Sequence, residues 1–285
     1  MRDAFDIETY LEYLLHDSTA AMWNASKKLA AINAAYDQIN NRIIEAHENW
    51  FYQEATLSYE SAENAWEYSQ YAMPSPKTIA KVLLLTDKYG VEMTPMNVVH
   101  REGSYPLVSN RNLPAGYWIG HDKLYINADG FTEDLRLYYV RRPPTLLSGT
   151  AGAGDATTLT CAAAPPPVPV DDYYNGVTMF LRGGTGVGES AEITDYVGST
   201  RVCTVNFTTS PSTDSVYATE SELPAGHNEI VAMGAAIRAL MFDVAQETKL
   251  EQFKKWYTKL EFDLMDFVEN RQLQVARSVH MRNFD

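Results

Sequence analysis

One stretch of the sequence combines glycines, a serine and a carboxylate at a spacing known from phosphate-binding loops. Residues 183–190 fit the pattern G-x-x-x-x-G-K-[S/T] except at one position, where Glu189 replaces the lysine. The lysine of such a loop attracts phosphate oxygens, whereas a carboxylate repels them, and the residues that follow predict a strand instead of the required helix. We therefore expect the glycine-rich loop of a β-hairpin and no nucleotide site.

Other residues with chemical potential lack the neighbours that their chemistry needs. Ser190 is without the second glycine of a nucleophile elbow. The six histidines show no H-E-x-x-H spacing, and Asp171 and Asp172 lack the alternating ligands of an EF-hand loop. A glycosidase carboxylate pair forms only in space and has no sequence signature. The sequence predicts no catalytic residue, no cofactor and no metal site, and we expect a protein that is not an enzyme.

The two cysteines, Cys161 and Cys203, fall in predicted strands of one small region. A disulfide is sterically conceivable, but a chain of 285 residues buries a core that needs no such staple. Zinc would need two further cysteine or histidine ligands at suitable spacing, and none occurs. We expect two buried thiols in a reducing cytosol, with the oxidation state of the pair left open.

Bulk composition narrows the function classes. A net charge of −14 disfavours ordinary nucleic-acid binding, because an acidic surface repels the phosphate backbone. It does not exclude a channel through which DNA slides, where attraction to the wall would hinder movement. No apolar run approaches the roughly 18 residues of a membrane-spanning helix, and the N-terminus predicts no signal peptide. We expect no membrane anchor.

Aromatic side chains cluster between residues 50 and 71. The favoured interpretation is packing in a core or at a subunit interface, where tyrosine and tryptophan are enriched. The alternative is stacking on the sugars of a host receptor. The candidate interface residues are Trp50, Tyr52, Tyr59, Trp66 and Tyr68.

The C-terminal segment 271–285 is basic in an otherwise acidic chain. It contains Arg271, Arg277 and Arg282 against a single acidic residue. Both a solvated tail and a docking peptide for an acidic partner agree with this composition.

Hydrophobic periodicity predicts helices at both ends of the chain. A short amphipathic segment covers 6–16, and 17–19 suits a helix cap. Stripes at helical spacing predict three longer helices. These stripes are Ala25, Leu29, Ile32, Tyr36, Ile39 and Ile43; then Ile230, Met233, Ile237, Leu240 and Val244; then Leu250, Phe253, Tyr257, Leu260, Leu264 and Phe267.

The middle of the chain predicts strands. Residues 50–71 are largely extended, 78–86 fit a strand or a short helix equally well, 117–126 predict a hairpin, and 135–140 predict a strand. After residue 148 the chain becomes rich in glycine, alanine and threonine, which marks a boundary. Further strands are predicted near 157–161, 177–182, 191–196, 201–207 and 216–219, with a proline-rich linker at 162–169.

These patterns predict an α+β fold. A helical domain is built from residues 1–148, which include the hairpin region, and from residues 223–285. A small all-β domain, residues 149–222, is inserted between them.

The order of these features resembles the head-to-tail adaptor proteins of tailed bacteriophages, also called head-completion or connector proteins. The resemblance covers roughly 17–148 and 223–275, and the inserted domain is similar to β-modules of other phage structural proteins. The residues that carry it are Asp17, Ser18, Thr19, Trp23, Ala34 and Ala35; 71–74 with Ile79 and Val82; 116–126; and 135–143, completed by the C-terminal helices.

The resemblance implies a structural protein of the virion neck, made in the cytoplasm of the bacterial host. Such adaptors form a homo-oligomeric ring, commonly of twelve subunits, which docks below the portal protein and continues the channel for genomic DNA. The lower face of the ring is a platform for a tail or nozzle protein. The C-terminal segment would contact the portal through Arg271, Arg277 and Arg282. The alternative function is a carbohydrate-binding host-recognition module of a phage tail.

Overall fold

The computed structural model describes residues 2–16, 23–47, 50–62, 69–72, 79–95, 116–120, 123–126, 132–241 and 246–281, without the side chains of 60–62, 69–72, 120 and 271–281. In this part the fold is α+β, as predicted, with four helices and several small antiparallel sheets. The chain divides into two compact units, residues 1–47 with 143–285 and residues 48–142. These divisions differ from the predicted boundaries after 148 and 222, because the β-region 149–222 packs with the helices in one unit.

The first unit begins with two capped helices, α1 (Ala4–Leu15) and α2 (Ala25–Ala46). The Asn24 side chain accepts a hydrogen bond of 2.9 Å from the Lys27 amide and so caps α2. The predicted stripe on α2 is buried from Leu29 to Ile43, whereas its first residue, Ala25, is exposed. The proposed cap at 17–19 lies outside the described residues.

The C-terminal helices are α3 (Glu229–Leu240) and α4 (Glu247–Met281). Helix α3 is buried on nearly all sides and contacts each of the other three helices. Gly234 makes this close approach possible, since a Cβ there would lie 3.0 Å from the Cβ of Ala35 and 3.2 Å from the Tyr257 ring. Helix α3 is therefore the centre of the helical layer.

Two four-stranded antiparallel sheets complete the first unit and share one hydrophobic cluster. Leu159 and Tyr196 enter the cluster from one sheet, and Met179 and Tyr217 enter it from the other. In strand order, the first sheet is β10 (Ala153–Gly154), β11 (Thr158–Thr160), β15 (Val202–Thr204) and β14 (Asp195–Val197); the second is β13 (Ser190–Glu192), β12 (Thr178–Gly183), β16 (Val216–Thr219) and β9 (Ser148–Thr150).

Residues 191–196 do not form the single strand that the sequence predicts. They contribute to β13 in one sheet and to β14 in the other. The chain changes sheets at Ile193, whose side chain is fully buried, and Thr194 already donates its amide to the Thr204 carbonyl. A local pattern of alternation does not show which sheet a strand joins.

The proline-rich segment 162–169 is not a free linker, because tyrosine hydroxyls bind it. Tyr217 accepts a hydrogen bond of 2.9 Å from the amide of Ala162. Tyr174 accepts one from the Val168 amide, and Tyr196 donates to the Val168 carbonyl. The buried tyrosines thus satisfy backbone groups of a segment that no strand pairs with.

The second unit is built of strands alone in its described part. A three-stranded sheet and a five-stranded sheet share a core that includes Leu57, Leu85, Leu124 and Leu137. In strand order, the first sheet is β1 (Tyr52–Leu57), β8 (Leu135–Arg141) and β4 (Ile79–Asp87); the second is β2 (Tyr59–Ala62), β3 (Ser69–Ala72), β7 (Lys123–Ile126), β6 (Gly116–Gly120) and β5 (Thr94–Pro95).

Two expectations about this unit are resolved. The predicted hairpin is confirmed, since β6 and β7 pair antiparallel with Trp118 opposite Tyr125. The segment that fitted both a strand and a helix is the strand β4, which pairs along its length with β8. Long-range pairing thus decides the structure of a run that is too short for periodicity to assign.

Candidate interaction surfaces

The predicted aromatic interface residues separate into different environments. Tyr52 is 45% exposed at the start of β1, whereas Trp50 and Tyr59 are half-buried. Tyr59 packs against the core of the second unit. Trp66 and Tyr68 lie outside the described residues. Of the predicted set, only Tyr52 is therefore placed on an exposed surface in the described part.

Tyr52 has a partner that the sequence analysis did not select. The ring of Tyr138 on β8 stacks with it, with ring centroids 6.3 Å apart and planes inclined by 19°. Both side chains project from the sheet face opposite to Leu135 and Leu137, which are buried. The alternation along β8 is the signal that could have placed Tyr138 on this face.

Helix α4 presents the clearest exposed apolar surface of the first unit. Trp256 is 56% exposed and Phe262 is 72% exposed, and the lysines 255 and 259 are also exposed. On a helix with 3.6 residues per turn these four side chains lie within about a third of the circumference. We call Lys255, Trp256, Lys259 and Phe262 the α4 outer face.

The opposite side of α4 packs against the rest of the first unit. Phe253, Leu264 and Val268 are buried there. The predicted stripe includes Phe253 and Leu264, and their burial confirms this part of it. Phe267 was predicted on the same buried face, but it is 42% exposed and lies beside His227, with ring centroids 5.1 Å apart. The stripe is narrower than predicted, because α4 packs mainly on α3 and lies at the edge of the helical layer.

Helix α1 carries a second exposed aromatic surface, which the sequence analysis missed. Phe5, Thr9 and Tyr13 are exposed and follow one another at four-residue spacing, so they lie on one side of the helix. Tyr13 also stacks with Tyr10, with a centroid distance of 6.2 Å. We call Phe5, Thr9 and Tyr13 the α1 outer face.

The basic C-terminal segment begins inside α4. The backbone at Arg271 and Arg277 is helical, and the helix ends at Met281. The side chains of these two arginines, and the whole of Arg282, lie outside the described residues. The segment 271–281 therefore extends α4 beyond Val268, the last buried residue of the helix in the described part.

An open polar groove of about 450 Å³ lies between α2 and α3. Two guanidinium groups line it, and both are engaged. Arg238 donates to the Gln38 side chain at 2.9 Å, and Arg42 pairs with Glu261 at 3.2 Å. Asp37 and Glu45 add negative charge to the walls. The groove therefore has no free positive charge to bind an anion.

The glycine-rich loop 183–189 connects β12 and β13, so the predicted hairpin is confirmed. The Glu189 carboxylate accepts hydrogen bonds from the amides of Thr208 and Thr209, at 2.6 and 3.0 Å. The hydrogen bonds from Thr209 and Thr208 hold the pKa of Glu189 below its usual value. The residue that replaces the phosphate-binding lysine thus joins two loops.

Some classes of site are absent from the part of the chain that the structure describes. No three histidine, cysteine or acidic side chains come together there in a metal-binding cluster. Within the same residues, no helix combines the length and the apolar character needed to cross a bilayer.

The sequence was compared with known protein families and with curated proteins. No model of a known protein family matches the sequence, and no curated protein matches it either.

Proposed function

We propose that this chain is a structural protein of a tailed-phage neck, one subunit of a head-to-tail adaptor ring that docks below the portal protein and makes or breaks no bond. The observation that carries the proposal is the α4 outer face, where two large exposed aromatic side chains flank two exposed lysines. Exposed aromatic groups are typical of the centre of protein interfaces, and charged groups are typical of the rim.

The charge of the chain favours a copy of itself, or another acidic protein, as the partner of this face. The net charge is −14, whereas the first half of α4 is neutral, with four lysines and four acidic residues, and Lys255 and Lys259 are the charged residues of the α4 outer face. Opposite charges at the rim of an interface favour one orientation and suppress others. The exposed lysines 255 and 259 on an acidic protein are therefore suited to a head-to-tail contact between identical subunits.

A closed ring needs two different surfaces on each subunit, because its contacts are heterologous. The first unit offers two aromatic surfaces, the α4 outer face and the α1 outer face. Both helices pack on α3, which gives them a common rigid support. We assign the contact between neighbouring subunits to these two faces.

The acidic surplus agrees with a channel for DNA. A wall of negative charge repels the phosphate backbone and allows the genome to pass without sequence-specific binding. The end of α4 beyond Val268, with Arg271 and Arg277, is assigned to the portal, and the opposite side of the ring to a tail or nozzle protein.

Two measurements test the proposal. Native mass spectrometry and electron microscopy of the chain, alone and mixed with portal rings, should reveal a ring, with twelve copies as the expected number. A chain that ends after Val268 should fold but fail to dock on the portal. A trimer located away from the particle axis, or full docking by the shortened chain, would refute the adaptor function.

The Tyr52–Tyr138 pair favours a second candidate, a carbohydrate-binding module for host recognition. Stacked and partly exposed tyrosines offer faces that sugar rings can cover. In that case host polysaccharide should quench tyrosine fluorescence, and Tyr52→Ala should abolish the quenching. No response to polysaccharide would leave the adaptor as the sole proposal.

A further inference from the structure

The two four-stranded sheets of the first unit form a β-sandwich, and the sulfur atoms of Cys161 and Cys203 are in van der Waals contact in its core. Their Sγ atoms are 3.6 Å apart, and both residues are free thiols with at most 1% of their surface exposed. Cys203 lies within β15, and Cys161 directly follows β11, which pairs with β15. Strand pairing holds the two thiols together although 42 positions separate them in the sequence.

We propose that Cys161 and Cys203 are an oxidisable pair, which hydrogen peroxide converts to an intrachain disulfide. The sulfurs need to approach by roughly 1.5 Å to reach the bonding distance of about 2.05 Å. Side-chain rotations can supply this movement while the paired strands stay in place.

Burial of both thiols determines which products are accessible. A bridge between two chains would require both cysteines to leave the core, whereas the intrachain bridge needs only contact that already exists. A zinc ion does not compete for the two thiols in the described part of the chain, because no third histidine, cysteine or acidic side chain joins the pair there.

The reaction has two balanced steps. The Cys161 thiolate attacks one peroxide oxygen, the O–O bond breaks, and a sulfenic acid and water form once the leaving hydroxide takes up the thiol proton. The Cys203 sulfur then attacks the sulfenic sulfur, and the departing hydroxyl leaves as water with the proton of Cys203. The two thiols lose two electrons, and one hydrogen peroxide becomes two molecules of water.

The surroundings favour Cys161 as the attacking sulfur. The hydrogen bond from Cys203 lowers the pKa of Cys161, and Arg201 and the Tyr217 hydroxyl act in the same direction. The same hydrogen bond raises the pKa of Cys203, so Cys161 is the easier of the two thiols to ionise. One thiolate beside one thiol is the combination that the two steps require.

The bridge would tie β11 to β15 and enclose the whole of β12, β13 and β14. Closing a loop of this length restricts the unfolded chain, which should raise the thermal midpoint of the first unit by roughly 5–10 °C. Reduction should reverse the change.

The test treats the folded full-length chain with hydrogen peroxide, then unfolds it and adds N-ethylmaleimide. Oxidised protein should take up no maleimide, and digestion should yield one peptide pair joined through Cys161 and Cys203. Cys161→Ser is the matched control, which should form no such pair and show no rise in thermal midpoint. A parallel sample is refolded in oxidised glutathione, which reaches the thiols before the core closes.

The joined peptide pair from the peroxide-treated sample supports the proposal, and the pair from the refolded sample is the reference that identifies it. Two maleimide adducts in the peroxide-treated sample, or bridges between chains in place of the internal one, would overturn the proposal. These outcomes are independent of ring assembly, so they leave the proposed adaptor function untouched.

Discussion

The carboxylate of Asp3 binds the guanidinium of Arg182 with one oxygen and caps helix α1 with the other. Arg182 donates through Nε and Nη2 to Oδ2 of Asp3, with an Nε distance of 2.6 Å, and the Asp6 amide donates to Oδ1. Asp3 is fully buried, and its backbone bridges to Glu220. One side chain therefore joins the first helix to the strands of the β-sandwich, 179 positions away.

Asp3→Ala should be strongly destabilising, since it removes the helix cap and leaves Arg182 without its buried partner. We expect a loss of about 3 kcal/mol in the free energy of unfolding, measured by urea denaturation. Asp195→Ala, at an exposed position of β14 in the same unit, should change it by less than about 0.5 kcal/mol. Equal effects of the two substitutions would contradict this role of Asp3.

Glu8 should make stability depend on pH in the direction opposite to an ordinary ion pair. Burial raises the pKa of Glu8 above its usual value of 4.5, although a hydrogen bond from Ser148 and the charge of Lys28 oppose the shift. Between pH 4.5 and the folded pKa of Glu8, the folded state therefore holds a proton that the unfolded chain has released. The contribution of Glu8 to the free energy of unfolding falls as the pH rises through this range.

Replacing Glu8 by glutamine removes this titration. The stability of Glu8→Gln relative to the natural chain should therefore increase as the pH is raised from about 4 to 7. Urea denaturation at several pH values measures the difference, with Asp195→Asn as an exposed control. A difference that shrinks over this range would show that the ionised carboxylate is stabilised in the fold.

The glycine-rich loop offers a matched pair of substitutions. Gly184 and Gly188 both have a positive φ, at +70° and +92°, but only at Gly184 would a Cβ collide with backbone, 2.1 Å from the Asp214 carbonyl oxygen. Gly188→Ala should cost about 1 kcal/mol for its left-handed backbone, and Gly184→Ala at least about 3 kcal/mol. Thermal unfolding of the two variants measures the difference, and similar midpoints would rule out the close approach of the two loops.

Tyr217→Phe should weaken the attachment of the proline-rich segment. The buried hydroxyl of Tyr217 is the acceptor for the Ala162 amide, and its loss would leave that amide unpaired at a cost of about 1–3 kcal/mol. Tyr13→Phe is the control, because Tyr13 is 71% exposed and water replaces its hydrogen bonds. Proteolysis within 162–169 should accelerate in the first variant alone.

Trp256→Ala should prevent assembly of the proposed ring and leave the subunit folded. Its side chain is mostly exposed, so its removal should change the free energy of unfolding by less than about 1 kcal/mol. Val187→Ala removes an equally exposed apolar side chain at the tip of the glycine-rich loop and should assemble normally. Electron microscopy of both variants with portal rings measures the outcome, and rings formed by Trp256→Ala would exclude the α4 outer face as the contact.

Much of the secondary structure follows from the sequence because its causes are local. The four-and-three spacing from Leu29 to Ile43 determines which side of α2 is buried, and the replacement of lysine by Glu189 argues against a phosphate loop before any contact is known. The α+β class follows from the same local patterns.

Tertiary structure alone decides the features that depend on distant parts of the chain. Pairing across long stretches of sequence determines which sheet a strand joins at Ile193, where the two units divide, and which residue binds Asp3. The exposure of Phe267, the stacking of Tyr138 on Tyr52 and the contact of Cys161 with Cys203 have the same origin. Periodicity identifies the side of a strand or helix that is buried, whereas the neighbour that buries it is selected by the packing of the whole core.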